Sequence, residues 1–378
     1  GLFVVNFASF IYVDDELILV SSDQAFRVAA FVFLVLHIMR APLSWGKSYV
    51  GQSPDWSGYY VNLASMVIGL TRVKWLKITK SLRELLQLDQ WPLGVTSTLV
   101  ARLQWFARVF KWIKPFLKKV QYLIALRESK IQARIKKFSR SSDCEKTLAK
   151  KFQTAKQQAY VRLCEFKKDV AMWVHVLNRS GCVQRPFAPP PAKGTRRVKV
   201  RHDARGSTKQ GGLGAYLFGH LQGGAAAFAS APWFSFLFTR ENVPLFPGAP
   251  DRQPRHMITW LEGLTGIIAS RIWGVDPREE CYESDSHAFV DATTSFKSKS
   301  CLNDLLKETA HDIIVEQKFE ADLWEHLPGV DNDVADGLSR KDKFEGVWQF
   351  KMDASLRVDI ADQLKNFRRS STMAMEDF

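Results

Sequence analysis

One stretch decides the fold of the second half of the chain: His326-Leu327-Pro328-Gly329-Val330-Asp331-Asn332-Asp333-Val334-Ala335-Asp336-Gly337-Leu338-Ser339-Arg340. An apolar run at 319–327 predicts a β-strand that leads into this stretch, and the residues after it predict a helix. Within that helix Asn332, Ala335 and Leu338 are suited to capping and packing. Asp336 is then the residue whose chemistry needs an explanation.

Upstream of this stretch, short strands and helices follow one another in a fixed order. Residues 197–203 alternate apolar and polar and end on an acid, which predicts a first strand. The remaining predicted elements are strands at 211–218, 225–233, 279–285 and 319–327, a helix at 256–273 and helical stretches up to residue 311. The prediction is therefore a mixed five-stranded sheet with helices, in which the first three strands are antiparallel.

Four acids fall at strand ends and on helices of this pattern. Asp203 ends the first strand, Glu262 lies on the first helix, Asp285 ends the fourth strand, and Asp336 lies on the last helix. We expect the first strand to lie beside the fourth, so that Asp203 and Asp285 are neighbours and the other two acids converge on them from the helices. Such a cluster can hold two Mg²⁺ ions about 4 Å apart, with Mn²⁺ as a substitute. Taken singly, each acid is better explained as a solvent-exposed carboxylate, because exposed acids are common.

The same residues resemble a known family. His202-Asp203-Ala204 before a Gly-Gly-x-Gly strand, Leu261-Glu262, Ser284-Asp285-Ser286 and the stretch from His326 to Arg340 are similar to the ribonuclease H domains of DIRS-like and related retroelements. The resemblance implies Mg²⁺-dependent cleavage of RNA in an RNA–DNA hybrid, with Asp203, Glu262, Asp285 and Asp336 as catalytic metal ligands. It assigns no flexible catalytic histidine, because His326 belongs to the strand.

A second motif lies near the N-terminus, in Phe10-Ile11-Tyr12-Val13-Asp14-Asp15-Glu16-Leu17-Ile18-Leu19-Val20. Two apolar runs joined by a short acidic turn predict a β-hairpin, and adjacent carboxylates suit Mg²⁺. A solvated acidic turn is the simpler interpretation of an Asp-Asp pair alone. Tyr12-x-Asp14-Asp15 between apolar strands resembles the palm hairpin of reverse transcriptases, which implies catalytic, metal-binding roles for Asp14 and Asp15. In that family a third aspartate and the fingers lie upstream, so we expect a missing N-terminal polymerase segment.

Two further features follow the hairpin in the order found in reverse transcriptases. Lys47 comes after a predicted helix at 24–40, and an aromatic-glycine segment carries Trp56 and Tyr59. The resemblance places Lys47 near the incoming triphosphate and Trp56 and Tyr59 in the hairpin that grips the primer end. Without the resemblance, Lys47 is a surface lysine and the aromatic segment is a packed turn.

Positive charge is concentrated in the middle of the chain. Residues 102–200 hold 25 Lys or Arg against 5 Asp or Glu, so the rest of the chain is net acidic although the whole carries a charge of +14. Release of counterions from phosphates explains this better than a solvated helix face, and an anionic membrane is the weaker alternative. We therefore predict that the partner is nucleic acid and that the protein does not bind a membrane. The predicted contacts in the helical part are Arg102, Arg108, Lys111, Lys118 and Lys119.

Cysteine content and apolar runs bear on the compartment. Five cysteines form an odd number with no C-x-x-C pair, which favours a reducing compartment over a disulfide framework or a zinc site. The start of the sequence does not show the basic region, apolar run and cleavage site that follow one another in a signal peptide. The most apolar stretch, residues 28–39, is too short to cross a bilayer and predicts a buried helix. We therefore expect an intracellular protein, cytoplasmic or nuclear.

The predicted fold class is α/β and α+β in several domains. They are a partial reverse-transcriptase palm at 1–65, a basic helical thumb and connection at 66–184, a Pro-rich linker at 185–195, a ribonuclease H-like domain at 196–345 and a tail at 346–378. The predicted function is that of a retroelement-derived fragment that cleaves RNA in hybrids and whose polymerase half is inactive alone. Two alternatives are a non-catalytic nucleic-acid-binding relic and a polymerase completed by an upstream segment.

Overall fold

The computed structural model describes residues 7–12, 15–21, 23–39, 49–53, 55–56, 58–65, 67–138, 145–178, 184–186, 197–218, 230–239, 257–274, 280–297, 302–315, 324–340 and 352–364. Two compact units are present. The first comprises residues 1–88 and 174–188, and the second comprises residues 89–173 and 189–378. The domain boundaries expected from the sequence stay predictions.

The first unit contains the predicted acidic hairpin. Strand β1 (Phe7–Tyr12) pairs antiparallel with β2 (Asp15–Val20), and Tyr12 lies opposite Asp15 across a two-residue connection. This confirms the hairpin. Helix α1 (Ala25–Ile38) follows it, close to the predicted bounds.

Helix α1 differs from its prediction in burial. The sequence predicted a buried helix, but none of the described side chains of α1 is buried. Phe26 is 80% exposed and Ile38 is 70% exposed. The prediction was wrong because an apolar helix is buried only where another layer covers it, and no described residue of the first unit covers α1 enough to bury its side chains.

A four-stranded antiparallel sheet completes the first unit. It comprises β3 (Asp55–Trp56), β4 (Tyr59–Asn62), β5 (Val67–Leu70) and β8 (Gln184–Pro186), in the order β3-β4-β5-β8. Gly58 turns the chain between β3 and β4 with φ of 80°, a conformation that glycine adopts readily. Helix α2 (Arg72–Leu86) then begins at Thr71, whose Oγ1 accepts a hydrogen bond from the Lys74 amide.

The second unit begins with a helical part. Strands β6 (Gln90–Pro92) and β7 (Tyr160–Arg162) pair antiparallel, and the helices of this part are α3 (Leu93–Phe106), α4 (Lys114–Phe138), α5 (Glu145–Gln157) and the first half of α6 (Lys167–Asn178). Its core is aromatic, because Trp91, Phe106, Phe110 and Trp173 are all at most 1% exposed. Burial of such large side chains stabilises this part of the molecule.

A mixed five-stranded sheet forms the rest of the second unit. Its strands are β9 (Arg197–Gly206), β10 (Gln210–Leu217), β11 (Trp233–Thr239), β12 (Glu280–Ser284) and β13 (Trp324–His326). The spatial order is β11-β10-β9-β12-β13. The first three strands are antiparallel, whereas β12 runs parallel to β9 and β13 runs parallel to β12. This mixed α/β arrangement is compatible with the predicted ribonuclease H-like fold.

One strand lies later in the chain than predicted. The sequence placed the third strand at 225–233, whereas β11 begins at Trp233 and pairs with β10 through Thr239. Residues 225–229 lie outside the described part. The aromatic run from Trp233 to Phe238 has the stronger strand preference, and the alanine-rich segment before it has little.

Four helices accompany this sheet: α7 (Ile258–Trp273), α8 (His287–Ser295), α9 (Leu302–Val315) and α10 (Asp333–Ser339). Leu261, Leu264 and Ile268 of α7 are fully buried in the core against the sheet. No helix in the described part of the chain has the length and hydropathy needed to span a membrane.

Helix α10 packs directly on strand β10. A Cβ atom at Gly214 would lie 2.5 Å from the Ser339 amide nitrogen, and one at Gly212 would lie 1.9 Å from the Ser339 carbonyl oxygen. Only glycine allows this approach of helix backbone to strand backbone. The Gly-Gly-x-Gly segment therefore sets how closely Asp336 and Ser339 approach the sheet.

Candidate metal centre

Two acids meet because two parallel strands are neighbours. Strand β12 pairs with β9 so that Ser284 lies opposite His202. Asp203 and Asp285 are the next residues along the chain and therefore come together. This confirms the predicted neighbourhood of strands one and four. Asp285 directly follows β12, whereas the prediction that Asp203 ends the first strand was wrong, because β9 stays paired with β10 up to Gly206.

Helix α7 brings a third acid to the same place. Glu262 is 5% exposed, and its Oε1 accepts a hydrogen bond from the Ala204 amide at 3.2 Å. One ligand oxygen from each of Asp203, Glu262 and Asp285 lies within 4.8 Å of the others. These three residues are called the acid triad below. The expected convergence of carboxylates from distant parts of the chain is thus present for three of the four acids.

The acid triad is electrostatically unfavourable when it is fully ionised. Burial above all, together with the charges of Asp285 and Asp336, raises the pKa of Asp203 to about 7, although the hydrogen bond from Ser339 and the charge of Arg340 lower it. Burial, with the charges of Asp203 and Asp285, raises the pKa of Glu262 well above its usual value. Burial raises the pKa of Asp285 as well, and so does Asp336. A proton or a cation relieves this repulsion.

The oxygen donors of the acid triad fit a divalent metal ion. Hard cations of this class prefer carboxylate oxygens. Glu262 Oε2 is buried and accepts no hydrogen bond from any described residue. A buried acceptor without a donor costs free energy, and a bound cation would supply its missing partner. The acid triad can therefore bind a metal ion.

Asp336 reaches the site from α10 and has a partner of its own. It forms an ion pair with Arg340, one helical turn further on. It lies outside the acid triad but acts electrostatically on both Asp203 and Asp285. The predicted packing residues of the same stretch are buried, and the Asn332 side-chain amide donates to the His202 carbonyl at 3.0 Å.

Three residues near the site were not assigned a role from the sequence. Ser339 Oγ donates to Asp203 Oδ2 at 2.7 Å, and Arg340 pairs with Asp336. His202 is fully buried beside Asp203, and burial lowers its pKa to about 3. In the sequence, Ser339 and Arg340 stood out only because they follow Asp336 in the stretch from His326 to Arg340. His202 stood out only because it precedes Asp203.

Two histidines stack near Asp285. The rings of His287 and His326 lie 3.4 Å apart, centroid to centroid, with 13° between their planes. His326 is close enough to Asp285 to lower its pKa electrostatically. His326 lies on strand β13, as predicted.

The residues predicted for polymerase chemistry are described only in part. Asp14 and Lys47 lie outside the described residues, as do the side chains of Asp15 and Trp56. Tyr59 lies on β4 and is 6% exposed. The roles of these five residues in metal or primer binding stay predictions.

The predicted nucleic-acid contacts of the helical part lie in different surroundings. Arg108 and Lys119 are exposed, and Arg102 and Lys118 are partly buried. Lys111 Nζ donates to the Thr294 carbonyl at 3.2 Å. Lys114, its neighbour one turn on, donates to the Ser295 carbonyl at 2.9 Å. Both lysines therefore lie at the C-terminal end of α8, where the helix dipole favours positive charge.

Comparison with known proteins adds no family assignment. No protein-family model matches this chain, and no curated protein matches it significantly.

Proposed function

We propose that this chain is a retroelement-derived reverse transcriptase and ribonuclease H fragment, whose second unit cleaves RNA in RNA–DNA hybrids with Mg²⁺. One observation carries the proposal. The acid triad, Asp203, Glu262 and Asp285, converges within 4.8 Å from β9, α7 and the end of β12, at positions singled out beforehand from the sequence. The order of elements along the chain supports it, because three antiparallel strands, a helix, a strand, helices, a strand and a helix follow one another as expected for a ribonuclease H domain.

The residues of the site have separate tasks in this proposal. Asp203, Glu262 and Asp285 hold a Mg²⁺ ion, and Asp336 contributes to a second position. When bound, such ions activate a water molecule and stabilise the leaving oxygen of the phosphodiester. Ser339 fixes the Asp203 carboxylate through its hydrogen bond at 2.7 Å, and the Ala204 amide fixes Glu262 at 3.2 Å.

The basic segment, residues 102–200, indicates that the substrate is a nucleic acid. The excess of Lys and Arg in residues 102–200 is suited to the phosphate backbones of a hybrid duplex. Contacts of this kind give affinity without sequence preference. Affinity and cleavage therefore depend on different residues of the chain.

A cleavage assay on an end-labelled RNA–DNA hybrid tests the proposal. We expect Mg²⁺-dependent cleavage of the RNA strand by the full chain. Asp203→Asn and Asp285→Asn should reduce cleavage to background, because each removes a negative ligand while keeping the side-chain shape. Asp291→Asn, which changes an exposed acid of α8, is the matched control and should cleave normally.

Hybrid binding by the same variants separates the proposal from its main rival. Asp203→Asn should bind the hybrid as well as the unchanged protein does. Tight binding without metal-dependent cleavage by the unchanged chain would favour a nucleic-acid-binding relic. Cleavage that survives both substitutions would show that the acid triad is not the active site.

A further inference from the structure

Arg340 lies directly after α10 and folds back onto Asp336. Its Nε and Nη2 both contact the same atom, Asp336 Oδ1. The backbone of Arg340 is extended, with φ of −118° and ψ of 131°, so the helix ends at Ser339 and only the side chain returns. The two side chains are 29% and 26% exposed, so the ion pair lies at the rim of the site and not in open solvent.

The guanidinium also acts on the acid triad. Its charge lowers the pKa of both Asp203 and Asp285, whereas the charge of Asp336 raises both. Arg340 is therefore an internal counter-ion for Asp336, Asp203 and Asp285. It opposes the charge that would otherwise draw in a second cation.

The two parts of the site differ in what they offer a metal ion. In the acid triad, Glu262 Oε2 accepts no hydrogen bond from the described residues. At Asp336, by contrast, two nitrogens of Arg340 already contact Oδ1. A cation that uses Asp336 must share this oxygen with the guanidinium or displace it.

We propose that Arg340 is a positioning residue that competes with a divalent cation for Asp336, so that the site fills in two steps. The first ion binds the acid triad tightly, and the second binds weakly because it must compete with Arg340. This inference rests on the proposed metal-dependent function and concerns how the same site is filled. Hydrolysis would then depend more steeply on divalent-ion concentration than occupancy of the acid triad does.

A purely structural role for the ion pair predicts something different. An i, i+4 pair of this exposure stabilises the helix only slightly. Its loss would lower stability slightly and leave metal affinity unchanged. Metal affinity is therefore the quantity that separates the two roles.

The experiment is a titration of the full chain with Mn²⁺, followed by electron paramagnetic resonance and calorimetry. The unchanged protein should bind one ion tightly and another weakly. Arg340→Gln should strengthen the weaker binding about fivefold, the factor that corresponds to about 1 kcal/mol for the lost ion pair. Arg340→Met should do the same, and circular dichroism shows that both variants are folded.

Arg197→Gln is the matched control. It removes an arginine that pairs with Glu280 on the same sheet. Arg197 lies six residues before Asp203 on β9, about 20 Å away along the strand. This variant should leave both Mn²⁺ affinities unchanged. A combination with Asp336→Asn completes the test, because Arg340→Gln should have no further effect once Asp336 has lost its charge.

Two results would overturn the inference, and they can be told apart. Unchanged Mn²⁺ affinities in both Arg340 variants, with the tighter ion still lost in Asp203→Asn, would end the role of Arg340 and leave the metal site standing. No Mn²⁺ binding by the unchanged protein would remove the metal site and the proposed function with it.

Discussion

At the scale of single residues, the acid triad makes the protein sensitive to pH. The folded-state pKa of Asp203 is about 7, against 3.8 for an ordinary aspartate. Between these values the folded chain keeps a proton that the unfolded chain releases. The contribution of Asp203 to stability is therefore fully present below about pH 4 and is lost as the pH rises through 7.

The variant Asp203→Asn isolates this contribution. Without divalent ions at pH 8, we expect it to be more stable than the unchanged protein, by at most about 4 kcal/mol for a pKa displaced by some three units. The advantage should shrink towards pH 4, where the aspartate is neutral too. Urea unfolding across this range measures it. Added Mg²⁺ should also narrow the gap, because only the unchanged site binds it tightly. A stability difference that does not change with pH would contradict this.

His202 acts in the opposite direction. Burial lowers its pKa from 6.5 to about 3, so the folded chain keeps it neutral while the unfolded chain takes up a proton. Its contribution is present above pH 6.5 and is lost as the pH falls towards 3. Neither ring nitrogen has a hydrogen-bond partner among the described residues.

Replacing His202 with leucine should therefore flatten the acid side of the stability profile. We expect His202→Leu to lose less stability than the unchanged protein between pH 6.5 and pH 4. The substitution removes both the proton uptake and a buried polar group without a partner. Urea unfolding at several pH values measures this, with Asp203→Asn as the comparison that keeps His202. An acid profile identical to that of the unchanged protein would argue against the assignment.

At the scale of elements, the contact of α10 with β10 positions half of the site. In Gly214→Ala the added Cβ would lie 2.5 Å from the Ser339 amide nitrogen and 2.7 Å from the Ala335 carbonyl oxygen. We expect a loss of about 1–3 kcal/mol in stability from overpacking. Because the helix must move, the hydrogen bond from Ser339 to Asp203 should weaken and Mn²⁺ affinity should fall.

Gly94→Ala is the control, because it should change the stability in the opposite direction. Gly94 lies in the first turn of α3, where a Cβ would meet nothing within 4 Å. Alanine favours a helix over glycine by up to about 1 kcal/mol, so this variant should be slightly more stable. Thermal melting and Mn²⁺ titration of both variants test this. If α10 is displaced from the site, only Gly214→Ala should lose stability and Mn²⁺ affinity.

The elements were more predictable from the sequence than the site contacts were. The order of strands and helices after residue 196 followed from alternation and from the acids at strand ends, because a parallel pair brings Asp203 and Asp285 together. The start of β11 was misplaced, since the third strand was assigned to the alanine-rich run before Trp233 and not to the aromatic run that begins there. Ser339 and Arg340 could not be assigned roles, because these depend on how closely α10 approaches β10, which only the folded backbone shows.

At the scale of the whole molecule, a buried ion pair links the helical part of the second unit to a helix that accompanies the five-stranded sheet. Lys307 of α9 pairs with Asp169 of α6 at 2.7 Å, and Asp169 is only 3% exposed. Lys307→Met should cost about 3–5 kcal/mol, because it leaves a buried carboxylate without its cation. The double variant with Asp169→Asn should regain most of this loss. Unfolding of the two single variants and the double variant gives the coupling energy, and simple additivity would contradict the prediction.

The basic residues of α4 form a stripe along one side of the helix. The spacings between these residues, three, four or eight positions along the 25-residue helix, place them on one face. They are Lys119, Arg127, Lys130, Arg134 and Lys137. Four of the five are exposed, and Arg127 is partly so. From the first to the last, the stripe spans about 27 Å of helix. Glu128, which points to the other side, pairs with Lys156 of α5.

The stripe on α4 is the surface where we expect the phosphates of the hybrid to bind. If it contacts phosphates, replacing all five residues with glutamine should make hybrid binding less dependent on salt, lowering the slope of log K against log [salt] by about 4. Fluorescence anisotropy at several salt concentrations measures the slope. Lys111→Gln with Lys114→Gln is the comparison. Those lysines bind carbonyls at the end of α8, so their loss should lower stability more than the salt slope. An unchanged slope in the five-residue variant would remove α4 from the binding surface and leave the other basic residues of 102–200 as the candidates.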